Sequence, residues 1–259
     1  MIEAAVRHLP APVKSLLQRA SRRSTAARTS HPSALSCIFA SNDYGSYCVP
    51  RASHHRPAAQ RILRGKVWEP ETIAFMREHC GKGDIVHAGT YFGDFLPGLA
   101  GGLGEGALIW AFEPNNESYR CASITVGLNS LQTRVKLTHA ALGPKPGTVK
   151  ISVLDGAGHP LGGGSHVNDK GNESVNQIAL DGFIPSDRRV SILQLDVEGY
   201  EEPALRGSEQ LIRRDKPILI IETVPPGDWF GKLLQDCGYA LKQKLGINSA
   251  FVAEGNRPG

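Results

Sequence analysis

From Asp84 onward, short apolar runs alternate with helix-length segments, and this alternation limits the fold more than any other feature of the chain. Runs at 84–88, 107–112, 135–139, 190–196 and 217–222 are short and rich in β-branched residues, so they read as buried strands. Helices are expected after the first run through Ala100, over 116–128 and 201–213, and over 228–237. Strands separated by helices pair in parallel, because the chain must cross back over the sheet between them. The runs 239–244 and 249–253 leave no room for a crossover, which predicts an antiparallel pair at the sheet edge. The fold class is therefore α/β and Rossmann-like, with helices on both faces of a mostly parallel sheet. Two more strands, 148–154 and 175–180, flank a glycine-rich stretch.

Upstream, 36–41 and 45–50 are strand candidates around the turn sequence Asn42-Asp43-Tyr44-Gly45. Pro57 opens a short helix through Arg64, and Glu69-Pro70-Glu71 opens another that ends near Cys80-Gly81. Residues 1–35 differ in kind, with six basic side chains and one acid. Ile2, Val6, Leu9, Val13, Leu16 and Leu17 follow a helical spacing that Pro10 and Pro12 interrupt. The prolines favour a disordered basic tail over an organelle transit peptide, the alternative reading. Three divisions follow: a tail over 1–35, a hairpin with helices capping the site over 36–82, and the main domain over 83–255.

The net charge of +4 hides an asymmetry. Residues 1–60 hold 8 basic and 2 acidic side chains, and residues 61–259 hold 21 and 23. A near-neutral body argues against a nucleic-acid partner, which would need a basic stripe on the domain. No apolar run approaches the ~18 residues of a membrane span. The five cysteines are odd in number and form no C-x-x-C pair, so free thiols in a reducing, cytoplasmic setting are expected.

Three strand ends carry the chemistry. In His87-Ala88-Gly89-Thr90-Tyr91-Phe92-Gly93-Asp94 a strand ends, turns tightly at Gly89 and leads into a helix, as at the first turn of a nucleotide-binding fold. It lacks the G-x-G-x-x-G of a dinucleotide site. Glu113, in Ala111-Phe112-Glu113-Pro114-Asn115, is placed to accept hydrogen bonds from ribose hydroxyls, or simply to face a helix dipole. Asp196 and Glu198, in Leu195-Asp196-Val197-Glu198-Gly199-Tyr200-Glu201, are acids that a strand tip does not carry without use or solvation.

These motifs, with Gly127-Leu128-Asn129 and Ile218-Leu219-Ile220-Ile221-Glu222, resemble the FkbM family of S-adenosylmethionine-dependent methyltransferases from about Asn42 to Ala253. The resemblance implies a seven-stranded class I methyltransferase fold and methylation of a hydroxyl on a small molecule such as a sugar or secondary metabolite. By position it implies that His87, Gly89, Thr90, Tyr91, Phe92 and Gly93 line the methionine part of the cofactor. Glu113 would hold the ribose, Asn115 and Asn116 would flank the adenosine, and Ala140 and Ala141 would lie near adenine. Asp196 would face the sulfonium and the substrate. The family usually has Asp where His87 stands and Asn where Tyr91 stands. Asp94 or Asp196 is then expected to take over the missing acid's role.

Methyl transfer to an alcohol needs alignment and a base. Asp196 and Glu198 are the first candidates for the base, followed by His55 and His166. Tyr44, His55 and His166 are expected at the substrate. No metal is expected, because no H-x-x-x-H or similar spacing occurs. Two other classes stay open: a catalytically silent scaffold, suggested by His87, and a nicotinamide-dependent oxidoreductase, which the missing glycine fingerprint disfavours. Oligomerisation is left open.

Overall fold

The computed structural model describes residues 34–255; the expected tail and its transit-peptide alternative lie outside them, apart from residues 34–35. A hairpin comes first, β1 (Cys37–Asn42) and β2 (Gly45–Pro50), antiparallel about the expected turn. Helices α1 (Pro57–Leu63) and α2 (Pro70–His79) each start on a proline, whose missing N–H costs nothing at that position.

The main sheet takes strands β3 (Asp84–Ala88), β4 (Ile109–Phe112), β5 (Val135–Thr138), β10 (Val190–Leu195), β11 (Ile218–Ile221), β12 (Tyr239–Leu245) and β13 (Asn248–Ala253). Their order is β12-β13-β11-β10-β3-β4-β5. The five strands from β11 to β5 are parallel, and β13 and β12 add the antiparallel edge. This is the seven-stranded, mostly parallel arrangement expected.

Side chains alternate between faces along each strand, so each face has its own core. On one face, Val86, Ala88, Leu193, Leu195, Leu219 and Ile221 pack against α5 (Leu180–Phe183), α6 (Glu201–Arg206), α7 (Glu209–Asp215) and α8 (Asp228–Cys237). On the other, Ile85, Ile109, Ile192 and Ile220 pack against α2, α3 (Leu96–Ala100) and Val126 of α4 (Asn116–Leu128).

Three local differences from the sequence expectation have physical causes. The helix after β3 shrinks to α3, because Gly89, Tyr91 and Gly93 all hold positive φ and residues 89–95 run as turns. The helix expected over 201–213 breaks at Gly207-Ser208. There the chain passes so close to Gly143 that a Cβ on Gly207 would sit 2.0 Å from its carbonyl oxygen. The two strands flanking the glycine-rich stretch do not join the main sheet. They become β7 (Gly147–Ser152) and β9 (Glu173–Ile178) of a second sheet, ordered β6-β9-β7-β8, with the short strands β6 (Ala141–Leu142) and β8 (His166–Val167). Among the described residues no helix is long and apolar enough to cross a membrane, and all five cysteines are free.

Asn129 ties the hairpin to the body. Its Oδ1 accepts from the Ser46 amide (2.9 Å), and its Nδ2 donates to the carbonyls of Ser46 (2.6 Å) and Thr125 (2.7 Å). Asn129→Ala leaves the Ser46 N–H and C=O without these partners in a part-buried setting. We expect a loss of about 2 kcal/mol in unfolding free energy, read as a lower urea midpoint with an unchanged slope.

Candidate functional site

Three strand tips meet at the carboxyl edge of the main sheet. Gly89 and Thr90 both donate their amides to the Phe112 carbonyl (3.1 Å each), and the Asp196 amide donates to Ala88 (3.1 Å). Gly89 holds φ +84°, and a Cβ there would fall 1.8 Å from the Asp196 carbonyl oxygen. Only glycine closes β3 against β10 at this point.

Glu113 leaves the tip of β4 with 4% of its surface exposed. Its Oε2 accepts from the Tyr91 amide (2.7 Å) and its Oε1 from the Asn115 amide (2.8 Å). Each oxygen keeps a lone pair for another donor. Burial pushes this carboxyl up to about 8, against the opposing pull of the two N–H groups. Asn115 caps α4 by accepting from the amides of Glu117 and Ser118.

A narrow cavity of about 30 Å³ opens beside these groups. Gly89, Glu113, Ala140, Ala141, Asp196 and Tyr200 line it. Gly163, Ser165 and Val167, from the glycine-rich stretch, line it as well. Carboxyls on a mostly apolar wall suit a ligand with an apolar ring, hydroxyls and a positive charge.

Asp196 belongs to an acidic group that local spacing does not show. Leu195 pairs with Ile221 across β10 and β11, so the next residues, Asp196 and Glu222, are neighbours. One carboxylate oxygen from each of Asp196, Glu198 and Glu222 lies within 4.8 Å of the others. Such oxygens are also the donors a hard cation accepts. Burial, and then Glu222, hold the Asp196 carboxyl well above the usual carboxylate range. Glu198 is raised by burial, then by Glu222 and Glu201, with His166 and Arg56 opposing. Its φ of 54° turns the chain at the loop after β10.

Several expected residues take other places. His87 lies between Val86 and Ala88 on β3, so its ring points to the sheet face opposite Ala88 and the cavity. It stacks on Phe95 with ring centroids 5.1 Å apart, and its Nδ1 donates to Gln194 Oε1. Thr90 bonds back to the His87 carbonyl, Phe92 is buried against Tyr47, and Gly93 abuts Thr125. Tyr91 contributes its amide to Glu113 while its ring packs against Gly163. Tyr44 lies under Arg77 and against Gly98. His55 is exposed beside His54. His166 bonds to the Gly164 carbonyl and lines a second, open cavity of about 590 Å³ with Lys150, Asn168 and Tyr200. Glu222, Tyr200 and Ser165 were not anticipated as site residues. Glu222 ends an apolar strand run and so carried a signal, whereas Ser165 is placed only by the tertiary fold.

A family model for the methyltransferase FkbM domain matches residues 87–241. Among solved structures the chain is similar to methyltransferase FkbM from Methylobacillus flagellatus KT, with 16% identity and a TM-score of 0.47, over 66% of this chain and 42% of that one. The chain thus spans less than half the length of that relative. It is similar to a SAM dependent methyltransferase from Aquifex aeolicus (17% identity, 76% of this chain and 94% of that one, TM-score 0.41). It is also similar to the Pyrococcus abyssi tRNA (uracil-54, C5)-methyltransferase in complex with S-adenosyl-L-homocysteine (12% identity, 84% and 43%, TM-score 0.42). No curated protein matches the chain.

His87 gives the site edge a testable pH signature. Its ring is 2% exposed, its Nε2 has no partner, and burial lowers it to about 4 from 6.5. The unfolded chain takes up a proton below 6.5 that the folded chain refuses until about 4. This part of the stability is present above 6.5 and lost as pH falls through 4, about 3 kcal/mol in all. His87→Phe should remove that dependence, so melting temperature measured from pH 7 to 4 should fall less steeply than in the wild type.

Proposed function

The chain belongs to the FkbM methyltransferase family, and we propose that it transfers a methyl group from S-adenosylmethionine to a hydroxyl of a small molecule such as a sugar or secondary metabolite. The observation that supports this most is the cavity between Glu113 and Asp196. The residues present suit the cofactor. The free lone pairs of Glu113 match a ribose diol, Ala140 and Ala141 offer an apolar surface for adenine, and Asp196 offers negative charge to a sulfonium. The bare main chain at Gly89 permits close approach.

When bound, the cofactor supplies a methyl carbon already activated for displacement. The chain then has to align the acceptor and remove its proton. Asp196 lies in the cavity wall, and its raised affinity for a proton makes it a better acceptor of one near neutral pH than an ordinary carboxylate. Glu198, more exposed on the following loop, is placed to pass that proton to solvent. The near-neutral charge of residues 61–259 favours a small acceptor over a nucleic acid. His166 and Lys150 in the adjoining open cavity are candidates for contact with the acceptor.

Calorimetry with S-adenosylhomocysteine tests the cofactor assignment, and absence of binding at millimolar concentration would sink it. The affinity for S-adenosylmethionine should rise with pH more than that of the product, which lacks the sulfonium. Its positive charge competes with the proton on Asp196, by at most about tenfold per pH unit. Asp196→Asn should lower transfer of labelled methyl to a panel of sugars and polyols by about 100-fold or more, with the melting profile retained. A protein that binds the product yet labels nothing in a crude extract would be a silent scaffold instead.

A further inference from the structure

Tyr91 reaches in two directions. Its amide donates to Glu113, the carboxyl assigned to the cofactor ribose, while its side chain runs to the segment between β2 and α1. There the Tyr91 hydroxyl and Ser53 Oγ form a buried hydrogen bond of 2.6 Å. Ser53 is 1% exposed and belongs to the segment between β2 and α1, far from Tyr91 in sequence. The tight turn Gly162–Gly164 lies directly on this pair. Gly162 holds φ +56°, and a Cβ there would sit 2.6 Å from Ser53 Cβ and 2.8 Å from the Tyr91 hydroxyl. At Gly163 the ring of Tyr91 is already at 3.3 Å from where a Cβ would be. The turn is fastened at its far side too. Asn115 Nδ2 donates to Ser165 Oγ (2.9 Å), and Ser165 Oγ donates to the Gly162 carbonyl (2.7 Å). Gly163 and Ser165 are themselves part of the cavity wall.

We propose that Tyr91 and Ser53 are positioning residues that pin the Gly162–Gly164 turn as a strap across the cavity, so that a bound cofactor departs only when the strap is released. This rests on the reading of the cavity as the cofactor site. It goes beyond that reading by giving Ser53 and the side chain of Tyr91 a role in retention, and by linking the strap to the ribose-binding carboxyl through a single residue. Three glycines in succession let the strap seat on the Tyr91 ring and also let it swing clear without side-chain obstruction.

Backbone hydrogen exchange of the full chain tests the pin, with Tyr91→Phe and Ser53→Ala as variants and S-adenosylhomocysteine as the probe. Each variant removes one hydroxyl of the buried pair and keeps the rest of the contact. Without ligand, amides of residues 162–165 should exchange roughly tenfold faster in either variant, the equivalent of one buried hydrogen bond. Amides in α4 and β10 should keep their wild-type rates, which separates loss of the pin from general loosening. With the probe bound, strap amides should slow in the wild type, and the probe should dissociate roughly tenfold faster from both variants. Wild-type exchange at the strap in both variants overturns the proposal, as does an unchanged dissociation rate. If Tyr91→Phe does not fold, Ser53→Ala decides alone. A probe that never binds removes the cofactor reading and with it the retention role, while the ligand-free comparison still shows whether the hydroxyl pair holds the strap.

Discussion

The contact between Gly89 and the main chain of Asp196 is the constraint on which the site depends. It lets the tips of β3 and β10 close until one backbone lies against the other. That closure sets the distance between the turn after β3 and the acids after β10. It also leaves β4 to deliver Glu113 from the adjacent tip. A side chain at position 89 would collide with the main chain of Asp196. The cavity therefore forms where these strand tips and the loops that follow them converge.

The site works against the stability of its own fold. Glu113 is an enclosed carboxyl that burial pushes up to about 8, and Asp196 is raised beside a second acid. Each is held in a setting that disfavours its charge, which costs stability wherever the unfolded chain would ionise freely. Core packing on both sheet faces offsets that cost. A cation in the cavity would relieve it further.

Much of the fold was legible because strand and helix periods differ and because prolines and glycines punctuate them. The five parallel strands, the antiparallel edge and the starts of α1 and α2 all follow from residue pattern. The second sheet did not, since short amphipathic strands such as β7 carry no information about which sheet they join. Within the site, Gly89, Glu113 and Asp196 were legible because each ends an apolar run at the same sheet edge. His87 shows the limit of position as a guide. It sits one residue from the turn, yet strand alternation sends its ring to the other face, where Phe95 and Gln194 receive it. The hydrogen bond between Ser53 and Tyr91 was hidden for a different reason: the two residues lie 38 positions apart, and no local pattern records a distant contact.

The strand order also bears on how the chain is made. His87 on β3 stands beside Gln194 on β10, 107 residues later, while its other neighbour, β4, follows almost at once. At a synthesis rate of about 5–20 residues per second, β3 waits on the order of 5–20 s for that second neighbour. During this interval the nascent chain holds a half-built sheet whose apolar edge has no partner. The glycine that later seals the site against Asp196 stands at the end of that edge, so the sheet stays open to chaperones, and to mispairing, until β10 has emerged.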